Sequence, residues 1–248
     1  MSKNKKLFII VGPTTSGKSN FGVFLAKKSG GEIISADSRQ VYKGLDIGSG
    51  KITKKEMGGV PHHCLDIANP KKIFTAYDFR NCAREAMKKI WKKNKTPIMV
   101  GGTGFYIDSV IGKVNLSNVP PNPKLRKRLS KYSTAELFSL LVKLNLERAK
   151  NIDKNNRVRL VRAIEISLTP TPSLTLGDSP FVRGNILWIG IKRSREELKK
   201  RIHKRLFQRL LGIIKEVKKL HKNGLSWKRL FDLGLEYRYV SLFLRGKL

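Results

Sequence analysis

Residues 7–19 read Leu-Phe-Ile-Ile-Val-Gly-Pro-Thr-Thr-Ser-Gly-Lys-Ser, and the way they divide decides the fold. Residues 7–11 have the length and β-branched content of a buried parallel strand. Residues 12–19 match the phosphate-cradling loop Gly-x-x-x-x-Gly-Lys-[Ser/Thr] at every fixed position. Residues 20–28 then carry Phe21, Phe24 and Leu25 at helical spacing. Strand, loop and helix in that order predict an α/β fold: a parallel sheet flanked by helices, with the loop at the carboxyl edge of its first strand. Gly12 and Gly17 permit the backbone angles that turn the amide N–H groups of the loop Pro13–Thr14–Thr15–Ser16 inward, Pro13 itself having none to offer, and the helix aims its positive dipole end at the same point. The expected ligand is a phosphorylated substrate, with Lys18 along its terminal phosphate and the Ser19 hydroxyl completing a magnesium shell.

Working outward, 248 residues suffice for one α/β domain with a modest insertion, and the apolar content excludes wholesale disorder. The balance of 52 Lys and Arg against 18 Asp and Glu leaves a net charge of +34. A field of that sign steers a polyanion, so the predicted partner is nucleic acid. Cys64 and Cys82 have no paired spacing, which excludes a disulfide framework and a four-cysteine zinc site. No apolar stretch approaches the ~18 residues of a membrane helix and no leader is visible. The expected location is the cytoplasm, with no membrane partner.

Residues 32–35 predict a short second strand ending at Ala-Asp-Ser-Arg-Gln-Val-Tyr, which directs Asp37 toward the phosphate loop. Residues 46–64 read as a mobile loop, 77–93 as a helix, and 97–100 as another buried strand running into Gly-Gly-Thr-Gly. A helix is expected to open near Phe105 and Tyr106. The prolines at 120, 121 and 123 end this rhythm, and basic helices are expected around 123–131, 134–143 and 153–168. Pro170, Pro172 and Pro180 close that insertion. A core strand over 185–191 and a long basic helix over 194–222 follow. The predicted organisation is a catalytic core of residues 1–113 and 186–248 with a helical insertion over 114–185.

The strand over 97–100 ends in glycines where a nucleotide hydrolase would carry a magnesium-binding carboxylate, so ATP or GTP hydrolysis is disfavoured. Asp37 is the carboxylate near the loop, and it reads either as a general base or as a turn residue. Arg201 and Arg205, four apart, share one helix face and either grip a diphosphate or lie on a solvated basic face. Arg157, Arg159 and Arg162 follow Asn155 and Asn156, an arrangement suited to a phosphate backbone and an unstacked base. His62, His63 and Cys64 are adjacent and lack further ligands, so they read as loop packing or substrate contacts rather than a metal site.

Taken together, several motifs resemble those of the tRNA dimethylallyltransferases: the phosphate loop, 35–43 (Ser-Ala-Asp-Ser-Arg-Gln-Val-Tyr-Lys), 46–51 (Asp-Ile-Gly-Ser-Gly-Lys), 61–63 (Pro-His-His), 100–106 (Val-Gly-Gly-Thr-Gly-Phe-Tyr) and 162–165 (Arg-Ala-Ile-Glu). The resemblance implies a P-loop NTPase-like fold with an inserted tRNA-binding subdomain, acting as a monomer with Mg2+. The implied reaction moves a dimethylallyl group from dimethylallyl diphosphate to the exocyclic amine of the adenosine just 3′ of the anticodon. It implies Asp37 as base, Thr14 and Lys18 on the diphosphate, Ser19 on magnesium, and Arg205 neutralising the leaving group in a motif begun at Arg201. Contacts to tRNA are implied for Asp37, Ser38, Arg39, Gln40, Thr103, Arg126, Val158, Arg159, Leu160, Val161, Arg162, Tyr237 and Arg238. The family pattern continues past residues 237–247 into a further helix, whereas this sequence stops at Leu248, which implies a weaker tRNA grip offset by positive charge elsewhere. The rivals are an adenylate isopentenyltransferase, a P-loop small-molecule kinase and a tRNA-binding protein without catalysis.

Overall fold

The computed structural model describes residues 5–114, 116–117, 119–169 and 185–248. Pro170, Pro172 and Pro180 lie outside them. From the amino end the elements are β1 (Leu7–Val11), α1 (Lys18–Ser29), β2 (Glu32–Ser35), α2 (Lys54–Met57), β3 (His62–His63), α3 (Ala76–Lys92), β4 (Pro97–Val100) and α4 (Gly104–Val110). There follow α5 (Pro123–Leu129), α6 (Thr134–Leu144), α7 (Leu146–Lys150) and α8 (Arg157–Ser167), then β5 (Ile186–Gly190), α9 (Arg195–Lys222), α10 (Trp227–Leu233) and α11 (Leu235–Phe243). The described residues fall into two compact units, divided after Val114 and again before residue 179.

In the first unit a five-stranded sheet runs in the order β3-β2-β4-β1-β5, and every pairing is parallel. All carboxyl ends therefore lie along one edge. The segments leaving β1, β2 and β4 emerge side by side there, where open parallel sheets bind ligands. Alternation sorts the sheet's faces. Leu7, Ile9, Ile34 and Met99 pack with Phe79, Ala83, Met87 and Ile90 of α3, while Ile10, Ile33, Ile98 and Val100 meet Val23 and Ala26 of α1. α3 starts at a reciprocal cap, with Thr75 accepting from the Asp78 amide and Asp78 from the Thr75 amide.

Three expectations are corrected. On α1, Phe21 and Leu25 pack partly buried against the core beside the buried Gly22, Val23 and Ala26, whereas Phe24, grouped with them by spacing, is exposed. A side-chain carbon at Gly22 would lie 2.7 Å from Val100 Cγ2, so small residues bring the helix onto the sheet. The segment 46–64 holds a capped helical turn (α2), an edge strand (β3) and a tightly bonded loop, instead of being mobile. β5 is the opposite edge strand, with Leu187 and Trp188 exposed, because among the described residues only β1 pairs with it. Cys64 and Cys82 remain free thiols, yet the fold brings their sulfur atoms within 2.7 Å.

His63 is a structural group. Its Nε2 lies 2.8 Å from the buried Glu32 carboxylate, which Lys93 and Lys95 also reach. Burial pushes the Glu32 carboxyl up, but these three partners outweigh it and hold the group down at about 2.

The second unit is helical. Leu129, Leu137, Leu141, Leu160, Ala163 and Ile164 form its own core. α7 is a short helix that the sequence pattern did not separate, and α8 starts later than expected because the Asn156 side chain caps it by accepting from the Arg159 amide at 3.2 Å. The cap uses only the Asn156 side-chain oxygen and leaves its amide nitrogen able to donate.

Candidate active site

The phosphate loop keeps the shape its glycines predict. Gly17 caps α1 at φ 100, and Thr15 adopts φ 62, a left-handed value costly for a branched residue and typical of strain held at a binding site. A side-chain carbon at Gly12 would meet the Ile191 carbonyl oxygen at 2.7 Å, so the loop packs against the end of β5. The Lys18 ammonium folds back onto the Pro13 carbonyl oxygen at 2.6 Å. Burial lowers its pKa, Asp37 pulls it back up and Arg205 pushes it further down. Those two influences place a carboxylate and a guanidinium near the lysine. Ser16 Oγ is buried without a partner among the described residues, and the Ser16 carbonyl accepts from Arg193 Nε at 3.3 Å.

A cleft of about 480 Å³ opens over this loop, and Thr14, Thr15, Ser16, Gly17, Lys18, Ser19, Asp37, Arg39, Gln40, Arg201, Arg205 and Tyr237 all line it. Asp37 forms a turn and also lines the cleft. Its Oδ1 accepts from the Arg39 and Gln40 amides at 2.8 and 3.2 Å, a turn that fixes the carboxylate at the mouth of β2. Thr103, at the mouth of β4, accepts from the Ser38 amide at 3.1 Å, tying the two strand ends together. Ser38, Thr103, Gly12, Pro13 and Arg238 do not line the cleft. Arg238 stacks over the Phe231 ring at 4.4 Å.

α9 delivers the cationic wall. Ser194 caps it, accepting from the Glu197 amide at 3.2 Å, and a 28-residue helix carries Arg201 and Arg205 up to the cleft. Arg201 is paired with Glu197 at 2.8 Å, while Arg205 donates to the Gly50 carbonyl at 2.9 Å. Lys204, Gln208 and Arg209 also line the cleft and were missed from the sequence. The signal existed for one of them, because Arg209 continues the four-residue step that singled out Arg201 and Arg205. Tyr237, grouped with the tRNA contacts, is 1% exposed and donates its hydroxyl to Glu216 at 2.8 Å, so it is mainly a packing residue of this wall.

In the second unit, the arginines expected to meet tRNA are organised by one buried acid. Glu165 accepts from Arg126 Nε at 2.6 Å, Arg126 Nη2 at 2.8 Å, Arg162 Nη1 at 3.0 Å and the Asn122 amide at 2.9 Å. Arg157 donates to the Leu129 and Ser130 carbonyls at 3.0 and 2.9 Å, satisfying the end of α5. Leu160 is fully buried and packs the unit's core, and Val161 is half-buried, so neither matches Val158 (79% exposed) or the exposed Arg159 as a surface contact.

Burial raises the Glu165 carboxyl, but Arg126, the Asn122 amide and Arg162 outweigh it and hold the pKa at about 2, against 4.5 for the free group. Because the folded value is the lower one, this contribution is complete above pH ~4.5 and disappears as pH falls toward ~2. Its size is on the order of 3 kcal/mol. Glu165→Gln is therefore expected to speed hydrogen exchange of the α8 amides about 100-fold at neutral pH and to flatten their acid dependence between pH 4.5 and 2. Unchanged α8 protection would contradict this. Exchange read at α8 separates Glu165 from Glu32, which titrates over the same range in the other unit.

The profile of the IPP transferase family matches residues 40–248. The chain is 43% identical to tRNA dimethylallyltransferase 2 of Treponema denticola over all of its own length and 84% of the relative's, which includes the phosphate loop. It is 41% identical to a protein of the same description from Trichlorobacter lovleyi, covering 100% and 81% of the two chains. The crystal structure of the full-length tRNA isopentenylpyrophosphate transferase of Bacillus halodurans superposes with a TM-score of 0.70 at 36% identity, over 98% of this chain and 78% of that one. A eukaryotic dimethylallyltransferase, captured acting on tRNA, gives 0.77 at 25% identity over 98% and 68%. Matched by the family profile over residues 40–248 and by these relatives over nearly all of its length, this chain belongs to the IPP transferase family.

Proposed function

We propose that this chain transfers the dimethylallyl group of dimethylallyl diphosphate to the exocyclic amine of the adenosine just 3′ of the anticodon in tRNA. The observation that carries this is the joint placement of the phosphate loop, Asp37 and Arg205 around one cleft. The amine nitrogen attacks the allylic C1, the C1–oxygen bond breaks, and diphosphate departs with its electron pair. Asp37 accepts the proton that the amine loses. Thr14, Lys18 and the loop amides hold the diphosphate, and Arg205 answers the charge growing on it. The segment 37–40 meets an adenosine flipped from its stack, since a base in a stacked loop cannot reach the cleft floor. In the insertion, Arg126, Val158, Arg159 and Arg162 supply backbone and base contacts, and the net charge of +34 supplies the attraction.

The donor set fits magnesium held chiefly by substrate. Ser19 offers one hydroxyl in the cleft, and no group of three or more His, Cys, Asp and Glu side chains gathers anywhere among the described residues. Such a site suits a hard cation that keeps its waters and takes diphosphate oxygens, with Ser19 as its protein ligand. Bound there, the ion would neutralise part of the diphosphate charge. No helix among the described residues is long and apolar enough to cross a membrane. A monomer working in the cytoplasm completes the proposal.

The test is incubation of the purified chain with unmodified tRNA, allyl-labelled dimethylallyl diphosphate and magnesium. Label is expected on one adenosine of the anticodon loop. Label on free adenosine nucleotides in preference to tRNA, or no transfer, would overturn the proposal.

A further inference from the structure

Gly48, Ser49 and Gly50 of the loop 46–50 line the same cleft as the phosphate loop, and one face of α9 grips the loop by both signs of charge. Glu216 Oε2 accepts from the Asp46 and Ile47 amides at 2.9 and 2.7 Å, and Oε1 from the Gly48 amide at 3.0 Å. The Tyr237 hydroxyl donates to Glu216 at 2.8 Å and accepts from the Ser49 amide at 3.0 Å, so four consecutive amides point at one anionic pair of groups. The carbonyls turn the other way. Arg209 donates to those of Ile47 and Gly48, and Arg205 to that of Gly50 at 2.9 Å. The loop's peptide dipoles thus lie between a carboxylate and two guanidiniums, the alignment that stabilises both ends.

Two glycines make the approach possible. A side-chain carbon at Gly212 would lie 3.1 Å from Ile47 Cδ1, and one at Gly48 would lie 2.6 Å from Tyr237 Cζ. The far end of the loop is tied separately, by Lys51 donating to the Tyr42 carbonyl at 2.8 Å and pairing with Asp46 and Asp66. The Gly50 carbonyl is the hub. It receives Arg205 and also Gln40 Nε2 at 3.3 Å, and the Gln40 amide is one of the two that fix Asp37. Burial lowers the Arg209 pKa and neighbouring Arg205 lowers it further, while Glu216 is among the groups that raise it again, consistent with two crowded cations that need this anion nearby.

We propose that Glu216 is a positioning residue for the diphosphate site: by clamping loop 46–50 to α9 it fixes Arg205 and the Asp37 turn through the Gly50 carbonyl. This rests on the donor-binding reading above. Glu216 lies away from the reacting atoms and acts through the loop.

The experiment compares the full-length chain with Glu216→Gln, Glu216→Asp and Gly212→Ala, reading inorganic pyrophosphate affinity by calorimetry and hydrogen exchange at individual amides. In Glu216→Gln the amides of 46–49 are expected to exchange at least 10-fold faster while α1 and α3 stay protected. Pyrophosphate Kd is expected to rise about 10-fold. Glu216→Asp should restore most of the affinity, because the charge is kept. Gly212→Ala, which displaces Ile47 without touching a charge, should weaken binding in the same direction by a smaller factor. Unchanged pyrophosphate affinity in Glu216→Gln with the loop amides deprotected would overturn the proposal and leave the donor reading standing. Loss of protection throughout the unit would reduce Glu216 to a general staple and overturn it too. Failure of the unsubstituted chain to bind pyrophosphate would instead overturn the donor reading itself.

Discussion

Asp37→Asn is expected to lower the rate of prenyl transfer by 10²- to 10⁴-fold, the range associated with a positioned general base. The asparagine is the informative substitution because it separates the turn that Asp37 forms from the proposed role as base. Its Oδ1 accepts from the Arg39 and Gln40 amides, and an asparagine oxygen can accept both bonds, so the turn at the end of β2 survives. The capacity to take a proton does not. Asp37→Ala removes the turn as well and should lose at least as much activity, with looser amides at residues 39 and 40. Pyrophosphate affinity in Asp37→Asn should hold or improve, since one negative charge leaves a cleft whose remaining task is to bind an anion. A single-turnover assay with labelled donor checks the rate directly. An asparagine variant keeping more than a tenth of the rate would show that Asp37 is only a turn residue and that water or the diphosphate itself takes the proton.

The parts of this molecule that sequence disclosed are those governed by local rules. The strand over 7–11, its loop and the helix after it follow from apolar run, glycine spacing and periodicity, and β2 and β4 were legible because central strands must be apolar on both faces. β3 was not, since a two-residue edge strand of histidines carries no such pattern and exists because Ile33 and Ile34 offer it a partner. On α1 the helical spacing found Phe21 and Leu25 but also drew in the exposed Phe24 and passed over Gly22, whose lack of a side chain sets the helix–sheet distance. At the site, Asp37 and Arg205 were found by motif. Glu216 was not, because its partners are backbone amides some 170 residues distant in sequence, and Arg209 was passed over although it continues the four-residue step of Arg201 and Arg205. An isolated carboxylate on a basic helix has no local signature. Its meaning appears only when the loop folds against it.

Arg205→Ala is expected to reduce kcat by 10²- to 10³-fold, comparable with the loss of one preorganised donor aimed at developing charge. Arg205 stands among Lys18, Arg201, Lys204 and Arg209 around the same cleft, against the carboxylates Asp37, Glu56 and Glu236. Lys18 sits among these charges: burial lowers its pKa, Asp37 raises it, and repulsion from Arg205 lowers it again. Such repulsion is an unfavourable feature of the empty site and becomes favourable only when a diphosphate enters, and most of all as that diphosphate gains charge on leaving. Removing Arg205 relieves repulsion in the free protein while taking a donor from the Gly50 carbonyl, so the melting temperature should move by no more than a few degrees. The loss should fall mainly on kcat, because the charge it answers develops in the transition state. Arg205→Lys restores the charge without the planar fork that reaches Gly50 and a phosphate oxygen together, and should recover less than ~10-fold of the loss. Steady-state kinetics with the donor varied at saturating tRNA decides the matter. A defect confined to KM would mean that Arg205 binds the diphosphate equally before and during bond cleavage, and that neutralisation of the leaving group falls to Lys18 and the loop amides.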